Sequence, residues 1–240
     1  MKNKHQILET QDDLFPDTFA TKRSTIPINK TTSSKGTKKT YRLPNINSRG
    51  RIISSVKQSL ENFWKWFNNS VAVDSKNRPL VFFHGTNSDF QEFKAHLKTY
   101  NNYGILGNVE VSRAAIFLTP NLKFAHEYSD LEKSGANIIT VYAKVTNPFD
   151  LRTGLSEQQE NELISVGVNP RWIYNVQHTW ELLDDEDGDY FVKSLKKLGY
   201  DGIIFFEKNY EVWAIFSGKQ LKSVYGNIGT YSDANDFTKE

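Results

Sequence analysis

The stretch Leu80-Val81-Phe82-Phe83-His84-Gly85-Thr86 holds the residues best suited to chemistry. Four apolar residues between Pro79 and His84 read as a short buried strand, and His84 closes it. A glycine directly after the histidine lets the chain turn tightly, or lets a ligand approach bare main-chain N–H and C=O groups. A histidine in that place can read a ligand through hydrogen bonds. A plain turn ending in a satisfied core histidine has the same local pattern. The other histidines, at 5, 96, 126 and 178, show no paired-ligand spacing with His84 or with one another. Cys is absent, so the chain has no thiolate nucleophile, no Cys-based zinc site and no disulfide. The acids of Leu183-Asp184-Asp185-Glu186-Asp187-Gly188-Asp189 do not fall at calcium-loop spacing with glycine sixth, and they read as a solvated helix start. There is no phosphate loop of Gly-Lys-Ser type, no Gly-x-Ser-x-Gly elbow and no dinucleotide glycine fingerprint.

The elements that must position His84 fit within 240 residues, enough for one good-sized domain with appendages. The net charge of +2 hides an asymmetry: Thr18 to Arg51 carries nine Lys/Arg and no acid, residues 1–17 sum to −2, and the remainder is 2 − 9 + 2 = −5. Residues 1–50 are rich in Lys, Thr, Ser and Asn, with Thr31 to Lys39 the clearest linker composition, and read as a largely disordered basic leader. Such a leader is a solvated tail, an arm for nucleic acid or an acidic partner, or a delivery segment. No apolar run approaches a membrane span, and residues 1–20 lack the apolar core of a secretory signal.

From Arg51 to Phe67 a helix is predicted, with Ile52, Val56, Leu60, Phe63, Trp64 and Phe67 on one face. Val71-Ala72-Val73, a turn over 74–78 and Pro79 to Phe83 read as strand, turn, strand. A long irregular stretch with Tyr100, Tyr103, Gly104 and Gly107 follows. Ala114 to Leu118 reads as a strand, then a helix to about Ser129 with Thr119 as cap. Alternation from Ile139 to Val145 marks a strand with one buried side, ended by Asn147-Pro148. Helices around 156–166 and 187–198 and strands at Ile203–Phe206 and Val212–Phe216 complete an α+β domain over 51–230, with 231–240 as a polar tail.

Seven pieces in order carry a resemblance. They are Ser70 to Asp74, Pro79 to Thr86, Ala115 to Thr119, Ala125 with Tyr128, Val145 to Pro148, Gly199 to Ile203, and Ile215-Phe216 with Gln220 to Ser223. Together they resemble the ADP-ribosyltransferases of the His-Tyr-Glu group, the diphtheria-toxin and poly(ADP-ribose)-polymerase type. The small domains carried by bacteriophages and mobile elements look most similar. The likeness covers roughly 60–226; the leader matches nothing in it. It implies a split β-sheet core with peripheral helices and a cleft for NAD as co-substrate, with no metal. His84 would bond a ribose of NAD, Gly85 would offer its backbone to the nicotinamide carboxamide, and Thr86 would complete the motif. Phe117 and Tyr128, eleven apart, would flank the nicotinamide ring, although either is equally an ordinary core aromatic. Phe117 stands where relatives usually have Tyr.

Cleavage of the nicotinamide–ribose bond builds oxocarbenium-like charge on the sugar. A carboxylate bonded to the 2′-hydroxyl favours that transition state selectively. Relatives carry the glutamate eight residues before the glutamine of the last motif. Here that residue is Val212, and Glu211 lies nine before Gln220. Strand side chains alternate, so one residue of slip reverses the face. Either an extra residue in Ser217-Gly218-Lys219 or a bulge at the strand start turns Glu211 into the cleft, or Val212 fills the slot in a weak or inactive domain. The first account is preferred because Glu211 sits at the strand's mouth. The expected activity is toxin- or phage-type mono-ADP-ribosylation of a macromolecular acceptor in the cytoplasm of the producing or target cell. Protein is favoured over RNA or DNA because the body is acidic. The alternative is a degenerate NAD-binding or virion-associated interaction module.

Overall fold

Two apolar cores set the architecture: one packs the first sheet against one face of the second, and the other covers the second sheet's opposite face. The computed structural model describes residues 44–231 apart from 88–89, 91, 96, 103–107, 130–135, 175 and 186. The first sheet has three antiparallel strands in the order β1-β5-β9: β1 is Phe82–Thr86, β5 Asn137–Ala143 and β9 Leu221–Ser223. The second has the order β4-β8-β7-β6. Here β4 is Ile116–Leu118, β6 Pro148–Asp150, β7 Gly202–Glu207 and β8 Tyr210–Ile215. Only β6 and β7 run parallel in it. Phe83 and Thr119 join the sheets by a single antiparallel bridge, Phe83 N–H to Thr119 O at 2.8 Å and Thr119 N–H to Phe83 O at 3.1 Å. The result is an α+β fold, as the sequence pattern predicts, with the split sheet that the resemblance implies.

Helix α1, Lys57–Phe67, buries Phe63, Trp66 and Phe67 on the first sheet, where Phe63 meets Tyr142 edge-on at 5.0 Å. The predicted helix is too long at its start. Ile52 and Val56 lie before it and are more than half exposed, and Trp66 takes a core place not foreseen. Helices α3 (Glu157–Ser165) and α5 (Gly188–Lys197) supply Leu163, Phe191 and Leu195 to the second core. The Ser156 side chain and Gln159 form a capping box that starts α3. Several elements were not legible. Leu97–Asn102 (β2) and Asn108–Arg113 (β3) pair as a hairpin where an irregular stretch is predicted, and α4 (Thr179–Asp184) precedes α5. Strand pairing also begins later than predicted, since Val73 and Pro79 make only an isolated bridge. No described helix is long and apolar enough to cross a membrane.

Both predicted domain limits shift. Pro44 to Gly50, grouped with the leader by composition, belong to the folded body. The Asn47 side chain is fully buried, donates to Tyr142 Oη at 2.9 Å and accepts from the N–H groups of Arg49 and Arg51. Ser48 Oγ accepts from Val81 N–H at 3.0 Å, and Trp64 Nε1 donates to the Pro44 carbonyl. A polar segment can be structural when its side chains replace missing backbone partners, which composition does not reveal. At the other end Tyr231 is buried against Phe63 and Trp66. The predicted leader over 1–43 and the tail beyond 231 lie outside the described residues. We expect a chain starting at Pro44 to melt within a few degrees of the full chain. A chain starting at Arg51 strands the Tyr142 hydroxyl and Val81 N–H, each at about 1–3 kcal/mol, and should melt at least ~5 °C lower. Equal melting temperatures for the two truncations would refute the structural role of Asn47 and Ser48.

Candidate active site

Strand β1 leaves the core at His84. Phe82 is fully buried and Phe83 nearly so, while His84, Gly85 and Thr86 are half-buried. His84 Nδ1 lies 2.8 Å from the Phe117 carbonyl, which can only accept, so Nδ1 carries the proton. Phe93 and Phe90 meet the imidazole edge-on at 5.1 and 6.0 Å. Burial lowers the His84 pKa; the carbonyl bond opposes this and Arg113 adds to it. The neutral ring thus has Nε2 as the acceptor it can present to a ligand hydroxyl.

Gly85 has a packing reason to be glycine. A Cβ there would lie 2.0 Å from the Ala125 carbonyl oxygen and 3.1 Å from Ser129 N. Helix α2, Leu122–Tyr128, therefore rests directly on the β1 backbone. Its cap is Asn121, whose side chain accepts from Phe124 N–H, and not the predicted Thr119, whose hydroxyl instead donates to the Glu211 carbonyl at 2.8 Å. This seat carries Tyr128 over the second sheet, where its hydroxyl donates to Glu207 Oε1 at 2.5 Å.

His84, Gly85, Phe117 and Tyr128 line one cavity of about 80 Å³ together with Arg113, Asp184, Glu207 and Val212. A single water needs roughly 10–15 Å³ by such a measure, so the space suits one flat ring and not a whole dinucleotide. Thr86 closes β1 opposite Asn137 and is not among the lining residues. Glu207 is buried, which raises its pKa while the Tyr128 hydrogen bond opposes the rise. Burial and the bond to Glu207 push the Tyr128 phenol up, so it stays a donor. Burial also raises the Asp184 carboxyl, against Arg113, whose Nε is 3.8 Å from Asp184 Oδ1. Among the described residues no group of three His, Cys, Asp or Glu side chains is placed to hold a metal ion.

Glu211 is not in the cavity. Its carboxylate accepts from Trp213 Nε1 and Arg152 Nη1, both at 2.8 Å, and Asp150 holds the same guanidinium through Nε and Nη2. Glu211 does not face His84 as the sequence leads one to expect, and the hairpin supplies the reason. Lys208 and Asn209 both have positive φ, 48° and 68°, which makes a two-residue turn of type I′. The ladder then runs without a bulge from Glu207↔Tyr210 through Phe206↔Glu211 and Phe205↔Val212 to Gly202↔Ile215. Opposed residues share a face, so Glu207 and Val212 face the cavity and Glu211 faces away.

A family profile described as ADP-ribosyltransferase in polyvalent proteins matches residues 74–231. The chain belongs to this ADP-ribosyltransferase family. The match spans every strand of both sheets and the whole lining of the cavity. Helix α1 and the packed segment from Pro44 precede it. No curated protein and no solved structure matches the chain. Of the residues at the cavity, Arg113 and Asp184 are not singled out by the sequence, and Glu207 is there only the fallback carboxylate should Glu211 face away. Asp184 was hidden inside an acidic run read as solvated. Glu207 carried a usable signal, since it alternates with Ile203 and Phe205 before a Lys-Asn turn.

Two measurements check this geometry. Gly85→Ala forces α2 away from β1; we expect about 1–3 kcal/mol of destabilisation and a displaced Tyr128. A variant as stable as the parent would refute the close seat. By ring ¹⁵N NMR, His84 should titrate below 6.5 and carry its neutral-state proton on Nδ1. With the folded pKa below the unfolded one, the unfolded chain takes up the proton first. The His84 contribution to stability is therefore intact above about 6.5 and lost as pH falls below it. An imidazole titrating above 6.5 would contradict the burial argument.

Proposed function

We propose that the chain transfers single ADP-ribose units from NAD to a macromolecular acceptor, protein in preference to nucleic acid, as toxin- or phage-type transferases do. The observation that carries this reading is the convergence of His84, Gly85, Phe117 and Tyr128, drawn from two sheets and a helix, on one ring-sized slot. A neutral imidazole with Nε2 as acceptor suits a ribose hydroxyl. Phe117 and Tyr128 offer aromatic surface to a nicotinamide ring. The dinucleotide's remaining parts must extend outside the slot. The body's charge of −5, the balance of +2 after the leader's +9 and the −2 of residues 1–17, argues against unaided nucleic-acid binding.

A second reading has its own support. Val212 lines the cavity where the resemblance would put a glutamate, and Glu211 is committed to Arg152, which fits a domain that binds NAD without cleaving it. Release of nicotinamide from NAD separates the two. We expect release by the full chain, transfer of labelled ADP-ribose to protein in a lysate, and a melting temperature that rises with NAD or nicotinamide. His84→Ala should remove that rise while the domain stays folded. A rise without release would favour the binding module, and an unchanged rise in His84→Ala would move the site elsewhere.

A further inference from the structure

Resting on the reading that NAD is the substrate, we propose that Glu207 is the catalytic carboxylate of this domain, supplied from β7 in place of the glutamate that relatives carry where Val212 stands. Three observations converge on it. Glu207 and Val212 share the cavity-facing side of two adjacent strands, so an acid lost from one can be replaced from the other without a change of face. Glu211 is turned to the opposite side and holds Arg152 and Trp213. Glu207 accepts from the hydroxyl of Tyr128, a ring of the same cavity, through Oε1. Its second oxygen is the acceptor it can give to a ribose hydroxyl. Asp184 is the other acid of the lining, but it ends a short helix and pairs with Arg113.

The step balances simply. The bond between ribose C1′ and the nicotinamide nitrogen breaks, and both electrons go to the ring, which leaves neutral. Positive charge remains on C1′ and the ribose ring oxygen. A carboxylate bonded to the 2′-hydroxyl strengthens that bond as the charge develops. An acceptor group with a lone pair and a proton forms the new bond at C1′, and its proton passes to Glu207 and on to solvent. The raised carboxyl of a buried Glu207 suits that last transfer.

The test uses the full chain, with nicotinamide release and the NAD-dependent melting shift as separate readouts. Glu207→Gln should lower release about a hundredfold or more while keeping the melting shift, because the amide oxygen still accepts from Tyr128. Glu211→Gln should release nicotinamide within a few-fold of the parent. Adding Val212→Glu to Glu207→Gln should restore release by at least about tenfold, since a carboxylate then re-enters the cavity from β8. Parent-like release by folded Glu207→Gln overturns the inference and leaves the NAD reading standing. No rescue in the double variant makes Glu207 a support for Tyr128 and also overturns it. No release by the parent chain overturns both. If Glu207→Gln melts below the assay temperature, Glu207→Asp is measured instead, and a folded Glu207→Asp with undiminished release counts against the assignment.

Discussion

The two hydrogen bonds between Phe83 and Thr119 hold the candidate site together. They are the backbone link between a sheet packed on α1 and a sheet packed on α3 and α5. Everything at the site is referenced to this junction. His84 is the next residue along β1, and its ring is locked to the carbonyl of Phe117, two residues before Thr119. The Thr119 hydroxyl reaches on to the backbone of Glu211 in β8. A ring at the junction therefore touches walls that belong to different cores, and each core fixes its own wall.

Acidic side chains on the two faces of the second sheet are put to different uses. On one face Glu211 and Asp150 share the Arg152 guanidinium, a network with each carboxylate compensated. On the other, Glu207 is buried with a neutral phenol as its partner, and Asp184 has its cation at 3.8 Å. A carboxylate in a direct ion pair is electrostatically quiet, whereas one whose direct partner is a neutral donor keeps more of its field for whatever enters the cavity. Register alone, set by Lys208 and Asn209, decides which acid has which role.

Much of this was readable in the sequence, with limits that have physical causes. Apolar runs and alternation located β1, β5, β7 and β8, because burial of one or both strand faces leaves a pattern. His84, Gly85, Phe117 and Tyr128 were found as a group only through the order of weak motifs, since their convergence is tertiary. Gly85 was read as bare backbone for a ligand, and the structure adds the seat of α2, a contact between residues 40 positions apart that no local pattern encodes. Glu211 was misplaced because its face depends on whether the hairpin contains a bulge, and a motif counted back from Gln220 cannot see the turn on the far side of β8. The β2–β3 hairpin was missed because its strands lack the apolar run that marks the others. Asn47 was missed because a buried polar side chain and a solvated one have the same composition.

The same Lys208-Asn209 turn has a consequence for the order of folding. Contacts across β7 and β8 close loops of only a few to about a dozen residues, whereas His84 to Phe117 spans 33 residues, Tyr128 to Glu207 spans 79 and Thr119 to Glu211 spans 92. Loop-closure entropy lets the short hairpin form first and makes the long-range joints wait for one another. Glu207 and Val212 are thus set on one face of an early local unit, and the cavity is assembled around them when the two sheets meet at Phe83 and Thr119.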